Sequence, residues 1–147
     1  MSTVRLVVVF EAPPERVWEE LADLGSHPEW MGDAEAVEFL TTQTRGVGTR
    51  ITVPTRIGPV RTTDVMTVVG WEEGRGITVE HVGTVSGRGR FEIQPSGPGT
   101  ELSWSETLTF PWWLGGPLGA RLARPILRRI WRENLERLRR RLAASDR

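Results

Sequence analysis

The 147-residue sequence predicts an α+β fold in which a curved antiparallel sheet wraps a long C-terminal helix and encloses a pocket. Three observations predict it. Between about residues 34 and 110, apolar residues recur at every second position, and turn signals cut this stretch into six runs. A β-branched run at residues 4–10 lies ahead of it. Beyond Pro117, and to about Ala144, the period becomes helical: Leu127, Trp131, Leu135, Leu138 and Leu142 make one continuous apolar stripe.

The elements follow in order. Residues 4–10 are apolar on both faces and read as a strand, stopped by Ala12-Pro13-Pro14. Pro14 suits the first position of a helix, where a missing N–H costs nothing, and Val17, Trp18 and Leu21 then share one helical face. Gly25 is expected to end that helix, and Ser26 to cap a second short one over residues 26–32. Turn signals at Gly46/Gly48, Ile57-Gly58-Pro59, Glu73-Gly74-Arg75-Gly76 and Pro95-Ser96-Gly97-Pro98-Gly99 delimit runs near 35–41, 48–56, 60–70, 76–85, 87–95 and 100–109. These six strands, with the first, predict a seven-stranded sheet whose tightly joined members are antiparallel neighbours. Pro125 is expected to kink or restart the last helix. The length suits one domain over residues 1–147, as a monomer or homodimer.

Composition prunes the chemistry. The chain has no Cys, Lys or Tyr, which removes thiol nucleophiles, Schiff bases, thiolate metal sites and phenolic acids. General acids and bases must come from Asp, Glu, His27 or His81. No phosphate-binding, dinucleotide-binding or zinc-protease motif occurs, so no cofactor and no metal is expected. No run of about 20 apolar residues and no leader-like segment is present; a cytoplasmic protein without stable membrane insertion is expected. Net charge is zero but uneven, with 9 Arg against 16 acids in residues 1–110 and 10 Arg against 3 acids thereafter. The basic helix is expected to be a solvated face or to complement an acidic sheet, rather than to bind nucleic acid or an anionic membrane.

Strand parity locates the pocket wall. In the last strand Leu102, Trp104, Leu108 and Phe110 share one parity, which must face inward, and Glu106 falls on it. Ile77, Val79 and His81 share another inward set, as do Val60, Thr62, Asp64, Met66 and Val68. Val85, Gly87, Gly89, Phe91 and Ile93 make a fourth, whose glycines remove side-chain volume and suggest open space. Asp64, His81 and Glu106 thus form a polar trio in an apolar lining, where each needs a partner or a shifted pKa. Met66, Gly89, Phe91, Trp104, Leu127 and Trp131 complete the expected lining. His27, beside a proline, is expected at the surface. At least one of Trp112 and Trp113 is expected to pack as core, and Trp18 and Trp30 as core plugs.

Several motifs carry a family resemblance. Ala12-Pro13-Pro14-Glu15-Arg16-Val17-Trp18, the Trp of Pro28-Glu29-Trp30, Gly46-Val47-Gly48-Thr49-Arg50 and residues 95–100 resemble, in order and spacing, the START-like or SRPBCC superfamily. Asp64-Val65-Met66, His81-Val82-Gly83 and Trp104-Ser105-Glu106 resemble its bacterial polyketide cyclase/dehydrase-like branch. The resemblance spans nearly the whole chain and implies a helix-grip fold with a cavity, which alone does not fix a function. The leading expectation is a binding protein for an apolar lipid-, acyl- or polyketide-like molecule, oriented by the polar trio. An alternative is a cyclase or dehydratase with His81 as general base and Glu106 and Asp64 assisting. A third is an interaction module using the Arg-rich helix and the Trp112/Trp113 loop.

Overall fold

A computed structural model describes residues 2–57 and 59–145. Strand β1 (Ser2–Phe10) is followed by helix α1 (Pro14–Ala22) and a 3-10 turn over Leu24–Glu29. Strands β2 (Glu38–Phe39), β3 (Arg50–Ile57), β4 (Val60–Glu72), β5 (Gly76–Val82), β6 (Ser86–Ser96) and β7 (Gly99–Thr109) come next. A second 3-10 turn at Trp112–Leu114 leads into helix α2 (Gly116–Ser145). All seven strands form one sheet in the order β1-β7-β6-β5-β4-β3-β2, and every neighbouring pair is antiparallel. The expected α+β helix-grip architecture is the one observed. Gly58, at one of the turn signals, lies outside the described residues.

Helix α2 lies over β1 and β7. Its stripe of Leu127, Trp131, Leu135, Leu138 and Leu142 is buried against Val4, Leu6, Leu102 and Trp104. Burying such side chains contributes about 1.5–3 kcal/mol each, which makes this contact the main hydrophobic layer. Asn134, fully buried on the same helix, stitches it to the loop before β2. Its amide donates to Asp33 Oδ1 at 2.7 Å, and its oxygen accepts from the Gly32 N–H at 3.0 Å.

Strand β1 is an edge, paired only with β7, and only one of its faces is covered: Val7 and Val9 are exposed. The reading of two apolar faces is corrected accordingly. Helix arginines blunt this edge, because Arg128 donates to the Arg5 carbonyl and Arg139 to the Val9 carbonyl. Arg141 instead bridges Glu20 on α1 and Glu29 at 2.9 and 3.0 Å. The basic helix therefore complements backbone carbonyls and two acids near α1, rather than a broad acidic sheet face.

Four element boundaries depart from expectation. The second short helix is a 3-10 turn beginning at Leu24, and Ser26 lies inside it with its hydroxyl donating to the Asp23 carbonyl at 2.8 Å. Helix α1 ends at Ala22, ahead of Gly25, with the Asp23 N–H still bonded to the Glu19 carbonyl. The strand expected at 35–41 shrinks to Glu38–Phe39, because the Gln43 side chain organises the following loop by donating to the Arg45 and Val47 carbonyls. Helix α2 runs through Pro125 unbroken. Pro125 sits on its exposed side, where water can serve the carbonyl that loses its N–H donor.

Candidate functional site

The sheet curves away from the first half of α2 and leaves a cavity of about 370 Å3, within the roughly 300–1,000 Å3 of small-molecule sites. All nine residues expected to line it do so: Asp64, Met66, His81, Gly89, Phe91, Trp104, Glu106, Leu127 and Trp131. At one end the aromatic rings form a continuous packed group. Trp131 stacks on Trp104 at 4.9 Å between centroids, and Trp104 contacts Phe91 at 4.8 Å. Trp30 plugs behind them, 1% exposed, with rings 6.1 to 6.4 Å from Phe91 and Trp104. At the other end Val60 and Ile126 line the cavity and are themselves exposed, so the cavity reaches the surface there.

The polar trio is assembled by the register. His81 on β5 pairs with Gly87 on β6, and Glu106 on β7 pairs with Gly89. His81 and Glu106 therefore stand two strands apart, about 9–10 Å between backbones. Because β6 carries glycine at both paired positions, Gly87 and Gly89, the two side chains meet over it. His81 Nε2 lies 3.0 Å from Glu106 Oε2, and the Trp104 indole N–H donates to Glu106 Oε1 at 3.3 Å. A Cβ at residue 89 would overlap the Glu106 carboxylate. Gly89 was expected to supply open space; in fact it supplies the seat of this carboxylate. Gly83 does the same for Asp64, whose carboxylate occupies the position a Cβ there would take. Asp64 also accepts from the Thr62 hydroxyl at 3.0 Å and the Thr55 hydroxyl at 3.4 Å.

Burial and charge oppose each other at His81. Desolvation pulls its pKa down, but the Glu106 hydrogen bond and charge, the Asp64 charge and the Val85 backbone outweigh it and leave the pKa raised. The side chains of His81 and Glu106 are 8% and 13% exposed, so the interaction is weakly screened. His81 Nδ1 is buried and makes no well-formed hydrogen bond. Asp64 goes up as well, chiefly because burial disfavours its charge; the Thr62 bond and the His81 charge only partly offset this. The cluster can thus present a cationic or neutral imidazole beside a carboxylate, with a second carboxyl group whose pKa burial raises. Among the described residues no group of three or more His, Asp and Glu is placed to hold a metal ion.

His27 is not on the surface. It is 8% exposed and lines the cavity, packed between Trp30 and Phe91, and its Nε2 lies 2.9 Å from the Leu21 carbonyl. Burial pushes its pKa down to about 4, so at neutral pH it is an uncharged ring donating Nε2–H to that carbonyl. Neither Trp112 nor Trp113 is core: they are 86% and 60% exposed. The β3 wall, where Ile51, Val53 and Thr55 line the cavity, lies outside the lining expected from the sequence. Their alternation is visible in the sequence and could have identified them. Ala123 and Ile126 were missed because the helical stripe was followed only from Leu127 onward.

A sheet gripping a C-terminal helix, with an apolar cavity and one polar cluster between them, defines a START-like, SRPBCC-type helix-grip protein. The chain belongs to the polyketide cyclase / dehydrase and lipid transport family, whose model matches residues 1–143. Solved structures agree on the fold. A START superfamily protein from Mycobacterium smegmatis superposes with a TM-score of 0.79 at 20% identity, covering 97% of both chains. A conserved protein from Geobacillus kaustophilus gives 0.82 at 12% identity over 98% of this chain and 97% of its own. A Thermus thermophilus protein gives 0.75 at 20% identity over 99% and 100%. At such identities the likeness concerns the fold alone. A comparison with curated proteins gives no match.

Proposed function

We propose that the protein binds an apolar small molecule, acyl- or polyketide-like, in the cavity between sheet and helix, with one oxygenated group turned toward Asp64, His81 and Glu106. The observation that carries this reading is the pairing of an apolar cavity of about 370 Å3 with one polar cluster on its wall. Apolar walls supply most of the binding free energy, while the few polar groups fix orientation. Glu106 and Asp64 accept from a hydroxyl of the bound molecule, and His81 holds the Glu106 carboxylate in place. Ala123 on α2 faces the cavity and is the smallest side chain on that wall. An apolar fluorescent dye should bind the native protein saturably, and Ala123→Phe should weaken binding by at least about tenfold by occupying the space. Undiminished binding in a folded Ala123→Phe variant would refute the assignment.

The hydrogen-bonded His81–Glu106 pair favours a second reading, proton transfer of cyclase or dehydratase type on a bound substrate. The raised pKa of His81 favours its role as the proton donor of the pair, with Glu106 orienting it. Turnover of a polyketide-like substrate that is lost in Glu106→Gln, with dye affinity retained, would establish it.

A further inference from the structure

The outer line of α2 changes character along its length. Leu118, Leu122 and Ile126 recur every fourth residue and are 64%, 66% and 59% exposed. Past Ile126 the same line continues as Arg129 and Glu133, which pair with each other on the exposed surface. Just ahead of the helix stand the exposed Trp112 and Trp113. The first half of α2 is therefore apolar on both sides, one side facing the cavity and the other facing solvent. Residues 112–132 hold five arginines and no acid. Of these, Arg121, Arg124 and Arg132 are exposed and have no ion-pair partner among the described residues.

A second copy docked by a two-fold contact through this surface would bring two sets of these arginines together without carboxylates to balance them. An anionic lipid surface answers both halves of the pattern. Its headgroups pair with the arginines, tryptophan rings sit at the headgroup level, and leucine and isoleucine side chains enter the acyl boundary. No described helix is long and apolar enough to cross a membrane, so the contact is peripheral. We propose that Trp112, Trp113, Leu118, Leu122 and Ile126, flanked by Arg121, Arg124 and Arg132, dock this protein on anionic bilayers. Ile126 also lines the cavity where it reaches the surface, so docking sets that opening against the acyl region. The surface is independent of what the cavity binds.

Co-sedimentation with phosphatidylcholine vesicles containing about one-third phosphatidylglycerol tests this against pure phosphatidylcholine, near 0.15 M salt. The wild-type protein should sediment with the mixed vesicles and far less with the neutral ones. Binding should fall at least about tenfold in Trp112→Ser/Trp113→Ser and in Leu118→Ser/Leu122→Ser. All four side chains are exposed, and unchanged thermal melting confirms that folding is intact. Arg121→Gln/Arg124→Gln should remove the preference for anionic vesicles. Ala123→Phe should retain vesicle binding whether or not it loses dye, which separates this proposal from the cavity reading. Equal binding to both vesicle types, or wild-type binding by the serine variants, would overturn it. So would light scattering that shows a dimer which the serine variants dissolve, since a second copy would then be the occupant.

Discussion

Glycine at 89 and 83 shows how an absent side chain can position a present one. Each sits across the sheet from a carboxylate that fills the volume its Cβ would take. The carboxylates are thereby held flat over the sheet, and Glu106 reaches a histidine two strands away. Gly89→Ala should displace the Glu106 carboxylate and deprive His81 of the partner that raises its pKa. The His81 pKa, followed by NMR, should then fall; an unchanged curve would show that the pair does not depend on this glycine. With two histidines in the chain, His27 provides the internal contrast. A group whose folded pKa is lowered to about 4 from 6.5 favours folding fully above the higher value. That contribution is lost as pH falls between the two, by roughly 3 kcal/mol in total. Urea midpoints of wild type should therefore drop between about pH 6.5 and 4, and His27→Gln should show a shallower drop over the same window. Parity made Asp64, His81 and Glu106 legible in the sequence, because alternation is a local property. The burial of His27 was not legible, since it depends on Phe91, which only the tertiary fold brings against it.

Elements were legible where turns punctuate them. Except at the turn between β5 and β6, which no such signal marked, strands β3 to β7 begin and end within a few residues of the glycine and proline signals, because an antiparallel hairpin must reverse where the backbone permits it. Strand β2 and the Leu24–Glu29 turn were read poorly because side-chain hydrogen bonds, from Gln43 and Ser26, decide them. Helix α2 tolerates Pro125 because its stability comes from the buried stripe rather than from one hydrogen bond. That makes a clear contrast between its two faces. Leu138→Ala, at a fully buried position, should cost about 2–5 kcal/mol by leaving a cavity. Leu118→Ala, largely exposed, should fall within about 0.5 kcal/mol. Chemical denaturation of both variants checks this, and equal losses would contradict the assigned faces of the helix.

On the scale of the whole molecule, one long helix rests on one half of a curved sheet and the other half closes over empty space. The aromatic group of Trp30, Phe91, Trp104 and Trp131 seals one end, and the opposite end reaches the surface beside Ile126. The cavity follows from the fold; its chemistry comes from three polar side chains and the two glycines beneath them. Two places on the protein could take up an apolar dye, the cavity and the exposed Trp112/Trp113 surface, and only one of them matches the proposed function. A crystal structure of the dye complex distinguishes them directly. The dye should lie between β4–β7 and α2, with its polar group within hydrogen-bonding distance of His81, Glu106 or Asp64. Dye density confined to the outer surface at Trp112 and Trp113, with the cavity left empty, would contradict it.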